Sequence, residues 1–226
     1  MPEPSHADGP PAEAIKPRLR GWLHAGMTPV VLAAGIVLIS LAPAGAARIC
    51  AAVYTGCGLV LFATSGAYHR GRWSPTVHRW FKRADHGNVY LLIAGTYTPI
   101  VTLGLAGRTR TVLLAIVWAG AAVGIGFRWL YPDAPRAFYT ALSVVLGWSV
   151  APAFGQLLVH AGTAVAVLAL VGGILYTAGA VTYATRRPDP SPAWFGFHEI
   201  FHALTVAAWT CQYVAVSVLS YRGAAA

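Results

Sequence analysis

Long apolar runs separated by short polar stretches dominate the chain from residue 22 onward. Each run is roughly 17–25 residues long, enough for a helix to cross a hydrocarbon core about 30 Å thick. Lipid offers no partners to backbone N–H and C=O groups, so such runs are predicted to be α-helices. The pattern therefore predicts an all-α integral membrane fold, a seven-transmembrane helix bundle over residues 22–222. The predicted spans are 23–43, 47–68, 85–105, 110–131, 137–158, 163–185 and 198–220.

Residues 1–21 have a different composition, with five Pro, three acidic residues and a basic cluster at 16–20. Such a segment cannot bury enough apolar surface to order itself, so we expect a disordered cytoplasmic tail. The basic cluster and the small residues at 42–46 also fit a cleaved signal peptide. The first apolar run is longer than the roughly 7–15 residues usual for a signal peptide, which favours a retained helix.

The composition supports a membrane protein and argues against a soluble one. Hydrophobic residues make up 57% of the chain and charged residues 10%, whereas ordinary soluble domains are about 25% charged. The formal net charge of +9 could indicate nucleic acid, but the Lys and Arg residues flank the apolar runs. We therefore expect membrane lipids as partners and no nucleic acid. Protein partners are not indicated.

The distribution of basic residues predicts the orientation. With seven spans, twelve of the sixteen Lys and Arg residues lie on the side that carries the N-terminus. The other side holds Arg48, Arg108, Arg110 and Arg222. Loops rich in Lys and Arg stay in the cytoplasm, so we expect a multi-pass cell-membrane protein with its N-terminus inside and its C-terminus outside.

Three histidines and one carboxylate are predicted to share one membrane depth. His198 and His202 are four residues apart, so they lie on one helical face. Helix 2 ends at His69, helix 3 begins at Asp85 and helix 7 begins at His198, all on the cytoplasmic side. A pair of His residues bonded to neighbouring helices would be the simpler interpretation of His198 and His202 alone. The shared depth favours a metal site.

Three imidazoles with an open fourth position form a common catalytic zinc site, although imidazole also suits iron, copper and nickel. Zinc is the expected metal, because no thiolate or second carboxylate near the cluster favours another. Asp85 could ligate the metal, but we favour a role in orienting the water and accepting its proton. Ser65 lies one turn deeper than His69 on the same face. Its hydroxyl could bond to a substrate or to the water, or simply to its own helix backbone.

Three ordered motifs resemble the hemolysin III branch of the progestin and adiponectin receptor family. They are Ser65–His69, Arg83–His86 leading into Ile93–Pro99, and Gly196–His202. The resemblance covers roughly residues 20–222, and the same Ser, His, Asp and His-x3-His pattern is similar to that of alkaline ceramidases.

The resemblance implies seven helices, a cytoplasmic N-terminus and zinc held by His69, His198 and His202. It also implies that Asp85 and Ser65 act beside the metal or in catalysis. Family members often carry a Cys-His pair in the last helix, where this chain has Cys211 and Gln212. Gln212 is about 15 Å from His202 along the helix, too far to affect zinc binding.

These features favour a zinc-dependent membrane hydrolase acting on a lipid amide, a lipid ester or a related acyl substrate. A sensor of membrane state or a pore-forming, hemolysin-like protein, with structural zinc, is the alternative. A further one is an intramembrane metalloprotease, because His198–His202 matches H-E-x-x-H, in which Glu199 would be the general base. The position of Asp85 beside the histidines argues against that alternative.

Overall fold

The computed structural model describes residues 16–222. Most of the predicted tail, residues 1–15, lies outside the described residues. The described part is helical, with one isolated β-bridge between Ser191 and Phe195, which confirms the all-α prediction. The helices are α1 (Trp22–Leu41), α2 (Ala46–Arg70), α3 (Pro75–Gly104), α4 (Gly107–Leu130), α5 (Arg136–Gly147), α6 (Phe154–Ala161), α7 (Thr163–Thr185) and α8 (Phe197–Tyr221).

Within residues 16–222, six helical stretches are long and apolar enough to cross a membrane. Five of them are α1, α2, α4, α7 and α8, and the sixth is Arg136–Ala161, which combines α5 and α6. The helix α3 is not one of the six, because charged residues fill its first turns and Thr and Tyr interrupt its apolar part. It is nevertheless central, since it packs against α2, α4, α5, α6 and α8.

The fifth predicted span is broken near its middle. The helix α5 ends at Gly147, and a short 3₁₀ turn at Ala151–Ala153 leads into α6. A break inside lipid leaves backbone groups without helical partners. The Tyr97 hydroxyl meets this need, because it donates to the Gly147 carbonyl at 2.7 Å and accepts from the Val150 N–H at 3.0 Å.

The helix α3 begins ten residues before the predicted span. Ser74 is its N-cap, and the Ser74 hydroxyl accepts a hydrogen bond from the Val77 N–H at 3.4 Å. Pro75 follows at the first helical position, where a missing N–H costs nothing. A Ser-Pro pair is thus a helix start that hydropathy alone does not detect.

Glycines allow the first two helices to approach closely. A Cβ atom at Gly35 of α1 would lie 2.0 Å from the Thr55 methyl group of α2, and one at Gly66 of α2 would lie 2.9 Å from the Ala25 Cα. Small residues at helix contacts are typical of membrane bundles, where van der Waals packing replaces the hydrophobic effect.

With α5 and α6 taken together, consecutive helices alternate in direction, so α1, α3, α5 and α8 begin at the end of the bundle where α2, α4 and α7 finish. We call this the proximal end and the opposite one the distal end. Residues 16–21 form a turn against the proximal end: the Arg18 N–H donates to the Ala193 carbonyl at 2.9 Å, and the Leu19 N–H donates to that of Trp194 at 3.2 Å.

We predict that Gly35→Leu destabilises the bundle, whereas Gly26→Leu in the same helix does not. The leucine at position 35 would clash with Thr55, and such overpacking typically costs about 1–3 kcal/mol. Position 26 has no atom within 4 Å of an added Cβ among the described residues. Thermal unfolding of the detergent-purified variants would measure the difference, and equal melting temperatures would contradict the packing argument.

Candidate metal centre

Three histidines from two helices converge at the proximal end. Their ligand nitrogens, one each from His69, His198 and His202, all lie within 4.8 Å of one another. The Nε2 atoms of His69 and His198 are 3.2 Å apart. All three side chains are buried. The structure therefore brings together the three residues that the sequence predicted as metal ligands.

The first turn of α8 is fixed by an ion pair between the buried Glu199 and the partly buried Arg20. Glu199 accepts a hydrogen bond from the Gly196 N–H at 2.9 Å through Oε2, and from Arg20 through Oε1. The first contact closes the helix N-terminus, where N–H groups lack helical partners. Because both carboxylate oxygens are engaged, Glu199 holds His198 and His202 in position and does not bond to them.

The end of α2 is held by the segment that precedes α1. The Lys16 ammonium donates to the His69 carbonyl at 2.6 Å, one of the last four carbonyls of α2, which lack helical partners. Partial burial and the nearby charges of Arg70 and Arg20 lower the pKa of Lys16. The position of His69 thus depends on residues outside the spans.

Asp85 and Ser65 lie beside the histidines. One carboxylate oxygen of Asp85, Oδ2, is 3.8 Å from His69 Nε2. The Ser65 hydroxyl is buried and has no hydrogen-bond partner within residues 16–222, and both side chains line the same cavity. The alternative, in which Ser65 bonds to its own helix backbone, is therefore not seen.

The chemistry of the three imidazoles suits zinc, and so does the spacing of one pair of their nitrogens. A tetrahedral zinc ion with Zn–N bonds of about 2.0–2.1 Å places two ligand nitrogens about 3.3–3.4 Å apart. The 3.2 Å separation of the His69 and His198 nitrogens is close to that value. Asp85 lies near enough for a carboxylate to orient a group in a fourth position.

His24 of α1 is a fourth buried histidine that sequence analysis missed. Its ring stacks on that of His202, with centroids 3.7 Å apart and planes 7° apart, and its edge packs on Phe62. Neither ring nitrogen finds a hydrogen-bond partner in the described part of the chain. Because α1 begins at the proximal end, the depth argument that grouped the other histidines also applied to His24.

A hydrogen-bonded network next to the histidines was also missed. Arg128 is almost fully buried and approaches His86 Nδ1 at 3.0 Å. A guanidinium group can only donate, so Nδ1 accepts and the proton of a neutral His86 is on Nε2. This nitrogen is 3.4 Å from the Tyr183 hydroxyl, which is 3.0 Å from that of Tyr139. The network fixes one wall of the site.

A cavity of about 180 Å³ extends from the histidines into the bundle. At its proximal end lie Ser65, Asp85, His198 and His202, and its walls are mostly apolar. It reaches Gln212, which is ten residues beyond His202 and therefore about 15 Å away along α8. The shape and the apolar walls are suited to a hydrocarbon chain.

The sequence of this chain is similar to the sequences of known proteins. Residues 12–213 match the family model described as "Haemolysin-III related". The chain is 35% identical to "Hemolysin-3" of Bacillus cereus over 117 residues, which are 50% of this chain and 52% of that protein. It is also 35% identical to "Hemolysin-3 homolog" of Bacillus subtilis over 114 residues, 50% of this chain and 54% of that protein.

A more distant similarity extends further along the chain. The human "Monocyte to macrophage differentiation factor" is 27% identical over 180 residues, 77% of this chain and 72% of that protein. The matches to the two Bacillus proteins span only about half of their lengths, while the family model covers nearly all of residues 16–222. These matches confirm the resemblance seen in the motifs, and the chain belongs to the haemolysin-III related family of multi-pass membrane proteins.

Proposed function

We propose that this protein is a zinc-dependent membrane hydrolase that acts on a lipid amide, a lipid ester or a related acyl substrate. One observation carries the proposal: three buried histidines and a partly buried carboxylate lie together at the proximal end of a membrane bundle, where His198, His202 and Asp85 line an apolar cavity. Ionisable groups are costly at membrane depth and mark functional sites.

In this proposal His69, His198 and His202 hold the zinc ion. When bound, zinc supplies a Lewis acid and lowers the pKa of coordinated water to about 7. Asp85 orients the attacking water through Oδ2 and accepts its proton. The Ser65 hydroxyl, which is free to donate, stabilises the oxyanion that develops on the acyl carbon's oxygen. The apolar cavity holds the acyl chain and excludes water.

The metalloprotease alternative is disfavoured by the contacts of Glu199. A general base must be within reach of the water that it deprotonates. Both oxygens of Glu199 instead bond to Arg20 and to the Gly196 N–H. Asp85, which is 3.8 Å from His69 Nε2, is better placed for that role.

We also propose that α3 is the seventh span and that the proximal end faces the cytoplasm. The basic residues of the segment before α1, the α2–α3 loop and the ends of α4 and α7 support this orientation.

Reporter fusions would test the orientation. A reporter fused before residue 16 and one inserted in the α2–α3 loop, residues 71–74, are both expected to lie in the cytoplasm, and one fused after residue 222 is expected to lie outside. The expectation follows from the excess of Lys and Arg on the proximal side. Finding both termini on one side would contradict the seven-span topology.

Metal analysis of purified protein would test the zinc site. We expect about one zinc ion per chain, and we expect its loss in a variant with alanine at His69, His198 and His202, because imidazoles supply three of the four bonds. Alanine at the exposed His78 and His160 is the matched control and should leave the zinc content unchanged. A triple variant with the wild-type zinc content would refute the assignment.

The next comparison separates the roles of the two acids. We expect Asp85→Asn to reduce hydrolysis by about 10²–10⁴-fold, the usual contribution of a general base, while most of the zinc remains. Glu199→Gln should retain activity but lower the free energy of unfolding by about 1.5–3 kcal/mol, since it weakens a charged hydrogen bond.

The readout is the lipid composition of cells that express each variant, together with zinc content and thermal unfolding of the purified proteins. Wild-type cells should lose an acylated lipid and gain its free fatty acid. An inactive Glu199→Gln with an active Asp85→Asn would favour the protease. If no lipid changes with any variant although zinc is bound, the sensor with structural zinc would replace the hydrolase.

A further inference from the structure

Three polar groups in the distal part of the cavity have no partner within the described chain. They are the Thr96 hydroxyl, the Tyr176 hydroxyl and the Gln212 Oε1 atom, all buried and on residues that line the cavity. The hydroxyl of Thr205, which also lines the cavity, instead donates to the Phe201 carbonyl of its own helix at 2.9 Å. Buried polar groups are nearly always hydrogen-bonded, so the three exceptions need an explanation.

The carboxamide of Gln212 is held in a defined orientation. Its Nε2 atom donates to the Ala169 carbonyl at 3.1 Å, and a carbonyl can only accept, so Oε1 is the free acceptor. Gly172 makes the room, because a Cβ there would lie 2.4 Å from Nε2. The acceptor is therefore fixed in place by α7.

Two of the three groups lie at a similar depth. Thr96 is eleven residues beyond Asp85 in α3, and Gln212 is ten residues beyond His202 in α8. At 1.5 Å per residue, both are about 15 Å deeper than the proximal site.

Tyr176 approaches the same depth from α7. It lies between Gly179, which packs against Leu204, and Gly172, which packs against Gln212. Side chains in helices point toward the helix N-terminus. The N-terminus of α7 is at the distal end, so the Tyr176 hydroxyl is directed toward the level of Gln212.

The chemistry of the three groups suits a hydroxyl. Gln212 Oε1 needs a donor, while the Thr96 and Tyr176 hydroxyls can each donate or accept. A hydroxyl can donate to the amide oxygen and accept from the other two at once. A carbonyl cannot donate to Gln212, a methylene satisfies none of them, and a charged group is too costly at this depth.

We propose that Thr96, Tyr176 and Gln212 form a subsite, the distal hydroxyl subsite, for a hydroxyl on the hydrocarbon chain of the ligand. This deepens the proposed function and rests on it, because it places the acyl head group at the histidines. A distance of about 15 Å corresponds to about 12 carbon–carbon bonds of an extended chain, because each bond of about 1.5 Å advances a zigzag chain by only about 1.25 Å. The ligand class is an acyl lipid hydroxylated near the middle of its chain.

Binding of three fatty acids to the zinc-loaded, full-length protein in detergent micelles tests the subsite. The probes are 12-hydroxystearate, stearate and 2-hydroxystearate, whose carboxylates mimic the acyl head group. We expect 12-hydroxystearate to bind about tenfold more tightly than either of the others, because only its hydroxyl reaches the unpaired groups. Equal dissociation constants for 12-hydroxystearate and stearate would overturn the proposal.

Variants of nearly the same shape test whether the hydroxyls of Thr96 and Tyr176 cause the preference for 12-hydroxystearate. Tyr176→Phe and Thr96→Val remove hydroxyls that have no partner within residues 16–222, so neither should lower the melting temperature. Each should reduce the tenfold preference to about threefold or less and leave stearate affinity unchanged. Thr205→Val, which removes a cavity-lining hydroxyl already bonded to its own helix, should keep the preference.

A loss of preference in Thr205→Val as large as that in Thr96→Val would refute the subsite. The test also separates this proposal from the hydrolase. If hydrolysis is absent but the hydroxyl preference persists and depends on Tyr176, the subsite stands and the hydrolase fails. If zinc and hydrolysis are present but the preference is absent, only the subsite fails.

Discussion

The bilayer cannot hydrogen-bond to the protein, and this constraint governs most of the structure. Every backbone group at membrane depth needs a protein partner, which is why the described chain is helical. Where α5 stops and α6 starts, Tyr97 supplies the bonds that the helix has lost. Polar side chains at depth obey the same rule, so a cluster such as His69, His198, His202 and Asp85 is retained only where other groups support it.

The histidine cluster is held in place by residues outside the membrane-spanning helices as well as by residues within them. Arg20 neutralises Glu199, and Lys16 bonds to the carbonyl of His69. Both cations lie in the segment before α1, which also hydrogen-bonds to residues 193 and 194 of the loop before α8. The short segment 16–21 therefore connects the two helices that supply the histidines. A substitution in this segment would therefore alter the positions of the histidines, although no residue of the segment is a proposed metal ligand.

The sequence predicted the helices and the three histidines because both depend on local patterns. Apolar runs locate spans, the four-residue spacing of His198 and His202 puts them on one face, and alternating direction brings His69 to the same depth. The break between α5 and α6 was not predicted, since residues 137–158 have the hydropathy of one continuous helix. The Arg128, His86, Tyr183 and Tyr139 network was missed because it joins four helices, and no spacing in the sequence encodes such contacts.

The close contact of Gly172 with Gln212 links the two positions in evolution as well as in space. A methyl group at position 172 would lie 2.4 Å from the Gln212 amide nitrogen. An alanine at 172 therefore requires the flexible Gln212 side chain to move, which would break its bond to the Ala169 carbonyl. A shorter side chain at 212 removes the contact, so the residue tolerated at one of these two positions depends on the residue at the other.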